Sequence, residues 1–137
     1  MGKQACLDTG LITLLYSKNP PKEISQLFKE IEMEKFEGHI VSPIISEAFY
    51  HICNINGKVA AESAIASFLY KYPIKLIHLN QSLIIKAGLL KCQHYKRLSY
   101  NDCFAIGYAL NKKLTFHTTE KGLKEIVPQL KVKQYIF

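Results

Sequence analysis

The feature that most narrows the choice of fold is an alternation. Short apolar runs of strand length are separated by segments whose apolar residues recur at helical spacing. The runs KQACLD (3–8), GHIVSP (38–43), IKLIHL (74–79), LTFHT (114–118) and KVKQYIF (131–137) read as strands. Helical segments cover 10–17, 21–36, 43–54, 58–71, 81–95, 99–112 and 120–127. Start signals accompany several of them: Ser42 followed by Pro43, Asn80 as a cap, and Ser99 with Asp102 as a capping box. Strands separated by helices pair in parallel through right-handed crossovers, which predicts an α/β chain: a three-layer α/β/α sandwich around a central, mostly parallel sheet. A chain of 137 residues with no internal repeat and no linker is expected to form a single domain over 1–137.

Composition removes several classes. No apolar run approaches a membrane span, and MGKQAC lacks both the apolar core of a signal peptide and a complete myristoylation motif, so a cytoplasmic protein with no membrane partner is expected. The four cysteines (Cys6, Cys53, Cys92, Cys103) form no CxxC pair, and neither Cys92-Gln93-His94 nor His51-Ile52-Cys53 has zinc-ligand spacing. Charge is unevenly spread. Residues 1–69 hold 6 Lys/Arg against 8 Asp/Glu, whereas residues 70–137 hold 12 against 3. A basic half of this kind points to a polyanionic partner, nucleic acid foremost.

The stretch CLDTGLITLL invites comparison with an aspartic protease, whose catalytic acid sits in Asp-Thr-Gly. That fold needs a tight turn at Gly10 and a return strand, in an all-β chain. Here Leu11, Leu14 and Leu15 fall at helical spacing, and no second Asp-Thr-Gly exists. Asp8 therefore reads as an acid at the end of a strand. Glu47 lies one turn into the helix after the second strand, Asp102 opens another helix, and Glu120 follows the strand LTFHT. In a parallel sheet, ligands gather beyond the carboxyl ends of the strands, so all four acids are expected at one rim.

Each acid has a purely structural alternative. Asp102 completes a capping box, Glu120 suits a first helical turn, and Glu47 suits a solvated helix face. Asp8 has the least evident local purpose. Carboxylates gathered together repel unless a cation neutralises them. Oxygen ligands without His or Cys spacing suit Mg²⁺ or Mn²⁺, which at such a site can activate water for phosphoryl displacement.

Taken with their order and context, CLDTGLITLL, HIVSPIISEAFYHI, LSYNDCFAIGYALNKK and LTFHTTEKGL resemble the PIN-domain ribonucleases, above all the compact VapC-type toxins. The resemblance spans essentially the whole chain. Asp8-Thr9 matches the family's Asp-Thr after the first strand. Glu47 matches its helix-start Glu, and Asp102 matches the Asp opening a helix that here carries Ala109 and Leu110 near its end. Thr118-Thr119-Glu120 matches Thr-x-Asp, with Glu in place of Asp, which sets the carboxylate about 1.5 Å further out (one C–C bond).

The resemblance implies Mg²⁺- or Mn²⁺-dependent endonucleolytic cleavage of RNA to 5′-phosphate and 3′-hydroxyl products. It also implies a homodimer and a cognate antitoxin partner, as in toxin–antitoxin pairs. Asp8, Glu47, Asp102 and Glu120 would form the catalytic metal site, and Thr118 would orient a ligand or a phosphate. Lys96 and Arg97 before the Asp102 helix, and Lys121 and Lys124 after Glu120, are expected to meet substrate phosphates. Tyr95 and Tyr100 are candidates for base stacking or for core or dimer contacts, and His117 is either a leaving-group contact or a satisfied strand-end histidine.

Two alternatives stay open: a catalytically weak or inactive RNA-binding module that the change at position 120 has cost its activity, and a housekeeping RNA-processing nuclease. A haloacid-dehalogenase-type phosphatase needs an Asp where Gly10 stands. A response-regulator receiver needs an acidic pair that this chain lacks.

Overall fold

The computed structural model describes residues 3–137. In chain order the elements are β1 (Lys3–Leu7), α1 (Thr9–Leu15), α2 (Lys22–Glu32), β2 (Phe36–Val41), α3 (Ser42–Asn56), α4 (Lys58–Lys71), β3 (Lys75–Ile77), α5 (Gln81–Gln93), α6 (Tyr100–Lys112), β4 (Thr115–Thr118), α7 (Leu123–Ile126) and β5 (Val132–Gln134). The five strands form one sheet in the order β3-β2-β1-β4-β5, and every pairing is parallel. The expected α/β/α sandwich is what the chain adopts, with a sheet that is wholly rather than mostly parallel.

β1 occupies the centre because it can be buried on both faces: Ala5, Cys6 and Leu7 are all without solvent exposure. Its alternation assigns the two layers. Cys6 donates to the Ala105 carbonyl of α6 at 3.6 Å, so its face carries α6. Gly38, on the other face, lies beside Leu7 and Ile31 of α2, where an added Cβ would stand 3.0 Å from Leu7. On the α6 face, buried His39 bonds Tyr108 Oη through Nδ1 at 2.7 Å and Glu37 through Nε2 at 2.6 Å. Burial pushes its pKa down. Edge-on aromatic contacts of Phe28 with Phe68 and Tyr72 tie α2 to α4.

Several boundaries differ from the expectation: the helix expected over 120–127 covers only Leu123–Ile126, since Gly122 ahead of it takes a left-handed backbone (φ 80°), so Glu120 precedes the helix. The second strand runs 36–41 because α3 already starts at Ser42, with Val41 as its cap residue and Pro43 in the first turn. α2 stops at Glu32, since Glu34 adopts a left-handed backbone (φ 59°) that turns the chain into β2. Asn80 and the Ser99–Asp102 box cap as expected. All four cysteines are free thiols, with Cys6 and Cys103 buried. Among the described residues, no helix is long and apolar enough to cross a membrane.

Candidate metal centre

Asp8 is the first residue beyond β1. Its backbone N–H still belongs to the sheet, donating to the His117 carbonyl at 3.0 Å. Its side chain caps α1: Oδ1 accepts the Thr9 N–H at 2.8 Å. So this acid does have a local structural purpose. Its second oxygen, Oδ2, accepts the Thr118 hydroxyl at 2.8 Å, and Thr118 Oγ1 in turn accepts the Glu120 N–H at 3.0 Å. Thr118 is fully buried and its proton is committed to Asp8. Of its two expected roles, orienting a ligand carboxylate fits, and contact with a phosphate does not.

Asp102 sits in the first turn of α6. Its Oδ2 accepts the Ser99 N–H at 3.0 Å while Ser99 Oγ accepts the Asp102 N–H at 3.1 Å, a reciprocal capping box. Capping fixes the carboxylate without removing it from the rim. One carboxylate oxygen each from Asp8, Asp102 and Glu120 lie within 4.8 Å of one another. Burial grades outward across the three: Asp8 is buried, Asp102 half-buried and Glu120 exposed.

Glu47 stands at the same rim but outside that group. Its Oε1 accepts from Asn101 Nδ2 at 3.0 Å, and its Oε2 lies 3.8 Å from His51 Nε2, one helical turn on. Its charge still reaches the centre, since it helps raise both Asp8 and Glu120. Burial, opposed by the bonds from Thr118 and Thr9 and reinforced by Asp102 and Glu47, pushes the Asp8 carboxyl up to about 6. Glu120 is pushed up to about 7, first by loss of water around its carboxyl and then by Asp102, Asp8 and Glu47.

Three carboxylates from separate elements, with no His or Cys in the group, make an all-oxygen donor set that fits a hard divalent ion. Acids held this close without a cation keep their protons to higher pH, as Asp8 and Glu120 do.

The expected basic contacts divide. Lys121 lines a groove of about 430 Å³ with Gly10, Thr119 and His51, beside the acids. Arg97 lines a different groove of about 430 Å³, between α7 and β5. Lys96 is exposed, its ammonium 5.6 Å from the Tyr95 ring. Lys124 is not free for a phosphate, because its ammonium donates to the Leu130 carbonyl at 2.7 Å. Tyr95 and Tyr100 are both exposed and lie outside the core. His117 points to the opposite sheet face from Thr118. There it is buried, bonds Tyr135 Oη through Nδ1 at 2.9 Å, and is pushed down to about 4 by burial and by Lys133. It belongs to the other face of the strand, with one ring nitrogen bonded there, and takes no part at the acid rim.

Two contributors were not foreseen. Asn101 holds Glu47, and an amide adjoining Asp102 in a first turn was its only signal. His51 was visible as the i+4 neighbour of Glu47. Gly10 proves to be a packing residue within α1 and not a protease turn: a Cβ there would lie 2.5 Å from Thr119 Oγ1.

This architecture is a PIN-like α/β/α sandwich. Solved toxin–antitoxin structures share it at low sequence identity. One is a VapBC complex of Rickettsia felis bound to a promoter DNA fragment (16% identity, 97% of this chain and 99% of that chain covered, TM-score 0.77). Another is a DNA-bound VapBC of Salmonella typhimurium (18%, 98% of each chain, TM-score 0.72). A third is the sarcin-ricin-loop-cleaving VapC toxin of Mycobacterium tuberculosis (16%, 82% and 86%, TM-score 0.63). Neither protein-family models nor curated protein sequences match this chain.

Proposed function

We propose that this chain is a Mg²⁺- or Mn²⁺-dependent endoribonuclease of VapC type, the toxin of a toxin–antitoxin pair. The observation that carries this reading is the convergence of the Asp8, Asp102 and Glu120 carboxylates at the carboxyl edge of the central strands. The fold shared with VapBC proteins supports the toxin role and an antitoxin partner. The basic second half of the chain suits RNA. Exposed apolar residues such as Tyr50, Ile55, Val59 and Tyr70 on α3 and α4 support a homodimer, and the cytoplasm is the expected compartment.

In this reading Asp8, Asp102 and Glu120 would hold the ion, with Glu47 beside them at the same rim adding negative charge. A divalent ion there supplies an activated water and offsets the charge that develops on a phosphodiester. Thr9 and Thr118 fix both oxygens of Asp8, so that carboxylate meets its ligand already oriented. Asn101 keeps Glu47 turned toward the rim. Lys121 binds a substrate phosphate beside the centre, and Lys96 and Arg97 contact the strand further out. A protonated Glu120 loses its value as a ligand, so cleavage is expected to fall as pH drops through about 7.

The test is an RNA panel incubated with Mn²⁺, with Mg²⁺ and with EDTA, for the parent and for Asp8→Asn. Cleavage should need the ion and vanish in the variant. Metal-independent cleavage, or an Asp8→Asn protein as active as the parent, rejects the mechanism. Ion binding without cleavage of any RNA favours a binding module, the alternative that the longer Glu120 side chain keeps open.

A further inference from the structure

A groove of about 670 Å³ lies between α2 and strands β1, β2, β4 and β5, on the face away from α6. Three aromatic rings line it: Phe36, His117 and Tyr135, with His117 centred 5.6 Å from Phe36 and 5.7 Å from Tyr135. Four lysines (Lys3, Lys22, Lys35 and Lys133) also line it, against Glu23 and Glu30, so its charge is positive. His117 is the notable member. It is only 5% exposed and its Nδ1 is engaged by Tyr135, yet its Nε2 has no partner among the described residues and is open to the groove. That edge of the ring is within reach of solvent, and so of any polar group that enters the groove.

Tyr135 has a second position of interest, because it also lines the groove of Gly10, Thr119 and Lys121. Thr119 and Lys121 flank Glu120 in the chain, so the two grooves share Tyr135 as a wall, and the second is lined by the residues on either side of Glu120. We propose that the larger groove is a nucleotide subsite, taking one base of a single-stranded RNA whose reacting phosphate lies at the acid rim. This rests on the ribonuclease reading. The base packs against Phe36 and Tyr135, its polar edge meets His117 Nε2, and the adjoining phosphates pair with Lys22 and Lys133. An apolar helix of a protein partner would leave the lysines and Nε2 unmatched, whereas a polyanion with flat rings satisfies both.

The experiment uses the full chain in EDTA, so that bound RNA stays intact. His117 and Tyr135 ring resonances are followed by NMR during titration with a short unstructured RNA, with free 5′-mononucleotides, and with an acidic amphipathic peptide. Binding and cleavage are compared between the parent and Lys22→Glu/Lys133→Glu, two exposed positions whose exchange leaves the core untouched. RNA should move both ring signals. The double variant should bind RNA about tenfold more weakly, with KM raised by about the same factor and kcat unchanged.

Unmoved rings, or a double variant that binds RNA like the parent, overturn the subsite even if the parent cleaves RNA. Stronger shifts from free mononucleotides or from the peptide than from RNA overturn it too. If the ribonuclease reading alone fails, no RNA is cleaved with either ion, while the resonances still report what the groove binds.

Discussion

Replacing Thr118 by Val keeps the shape of a fully buried side chain and removes one hydroxyl. That hydroxyl donates to Asp8 Oδ2 at 2.8 Å and accepts from Glu120 N at 3.0 Å. A hydrogen bond to a charged group contributes about 1.5–3 kcal/mol, and one pKa unit corresponds to about 1.4 kcal/mol. Thr118→Val should therefore raise the Asp8 pKa by about one to two units from its value of about 6. At pH 7 the parent is ionised at Asp8 in about nine molecules of ten, and the variant in about half to one in ten.

An ion must displace the proton that Asp8 keeps, so metal affinity follows that fraction. The assay is calorimetric titration with Mn²⁺ across pH 5.5–9 for both proteins. The acid limb of the variant should lie about one to two pH units higher, and the two curves should meet near pH 9. Near-UV circular dichroism checks that the pair share one fold. Superposed curves, or curves separated by a constant factor at every pH, would refute the assignment of Thr118 as the group that keeps Asp8 ionised.

Gly10→Ala places a methyl 2.5 Å from Thr119 Oγ1, where the segment leading to Glu120 must give way. The melting temperature should fall by an amount equivalent to about 1–3 kcal/mol, and Mn²⁺ affinity should fall with it. The Asp8→Asn protein should gain stability relative to the parent as pH rises. Between the ordinary carboxyl value near 4 and about 6, the folded chain holds a proton that the unfolded chain has released. The stabilising contribution of Asp8 is thus complete below about 4 and is lost as pH climbs through about 6. In denaturant titrations without metal, the difference should reach on the order of 2–3 kcal/mol by pH 7. His117, held down to about 4, acts in the opposite sense, and both proteins carry it, so the difference isolates Asp8.

Most of this architecture was readable from spacing alone. The order of strands and helices follows from where apolar runs change period, and Asp8, Asp102 and Glu120 meet because parallel strands end at one edge. What escaped the reading depends on contacts between distant segments. His117 was one residue from the site in sequence, but the two-residue period of a strand turned it to the opposite face. Thr118 looked available to substrate, and only the pairing of β4 with β1 shows that its proton is already given to Asp8. Glu47 was expected among the acids, yet Asn101, 54 positions away, holds it outside the close group. Lys124 looked like a free cation until the turn before β5 brought a carbonyl to it.

Asp8 and Asp102 each tether a helix start, whereas the side chains of Glu47 and Glu120 hold no backbone. The four acids are therefore unequal in what their loss would do. A chain that shed the two glutamates would keep every helix cap, whereas one that lost the side-chain oxygens at positions 8 or 102 would leave the start of α1 or α6 uncapped. Position 120 falls where the fold leaves evolution the freer hand.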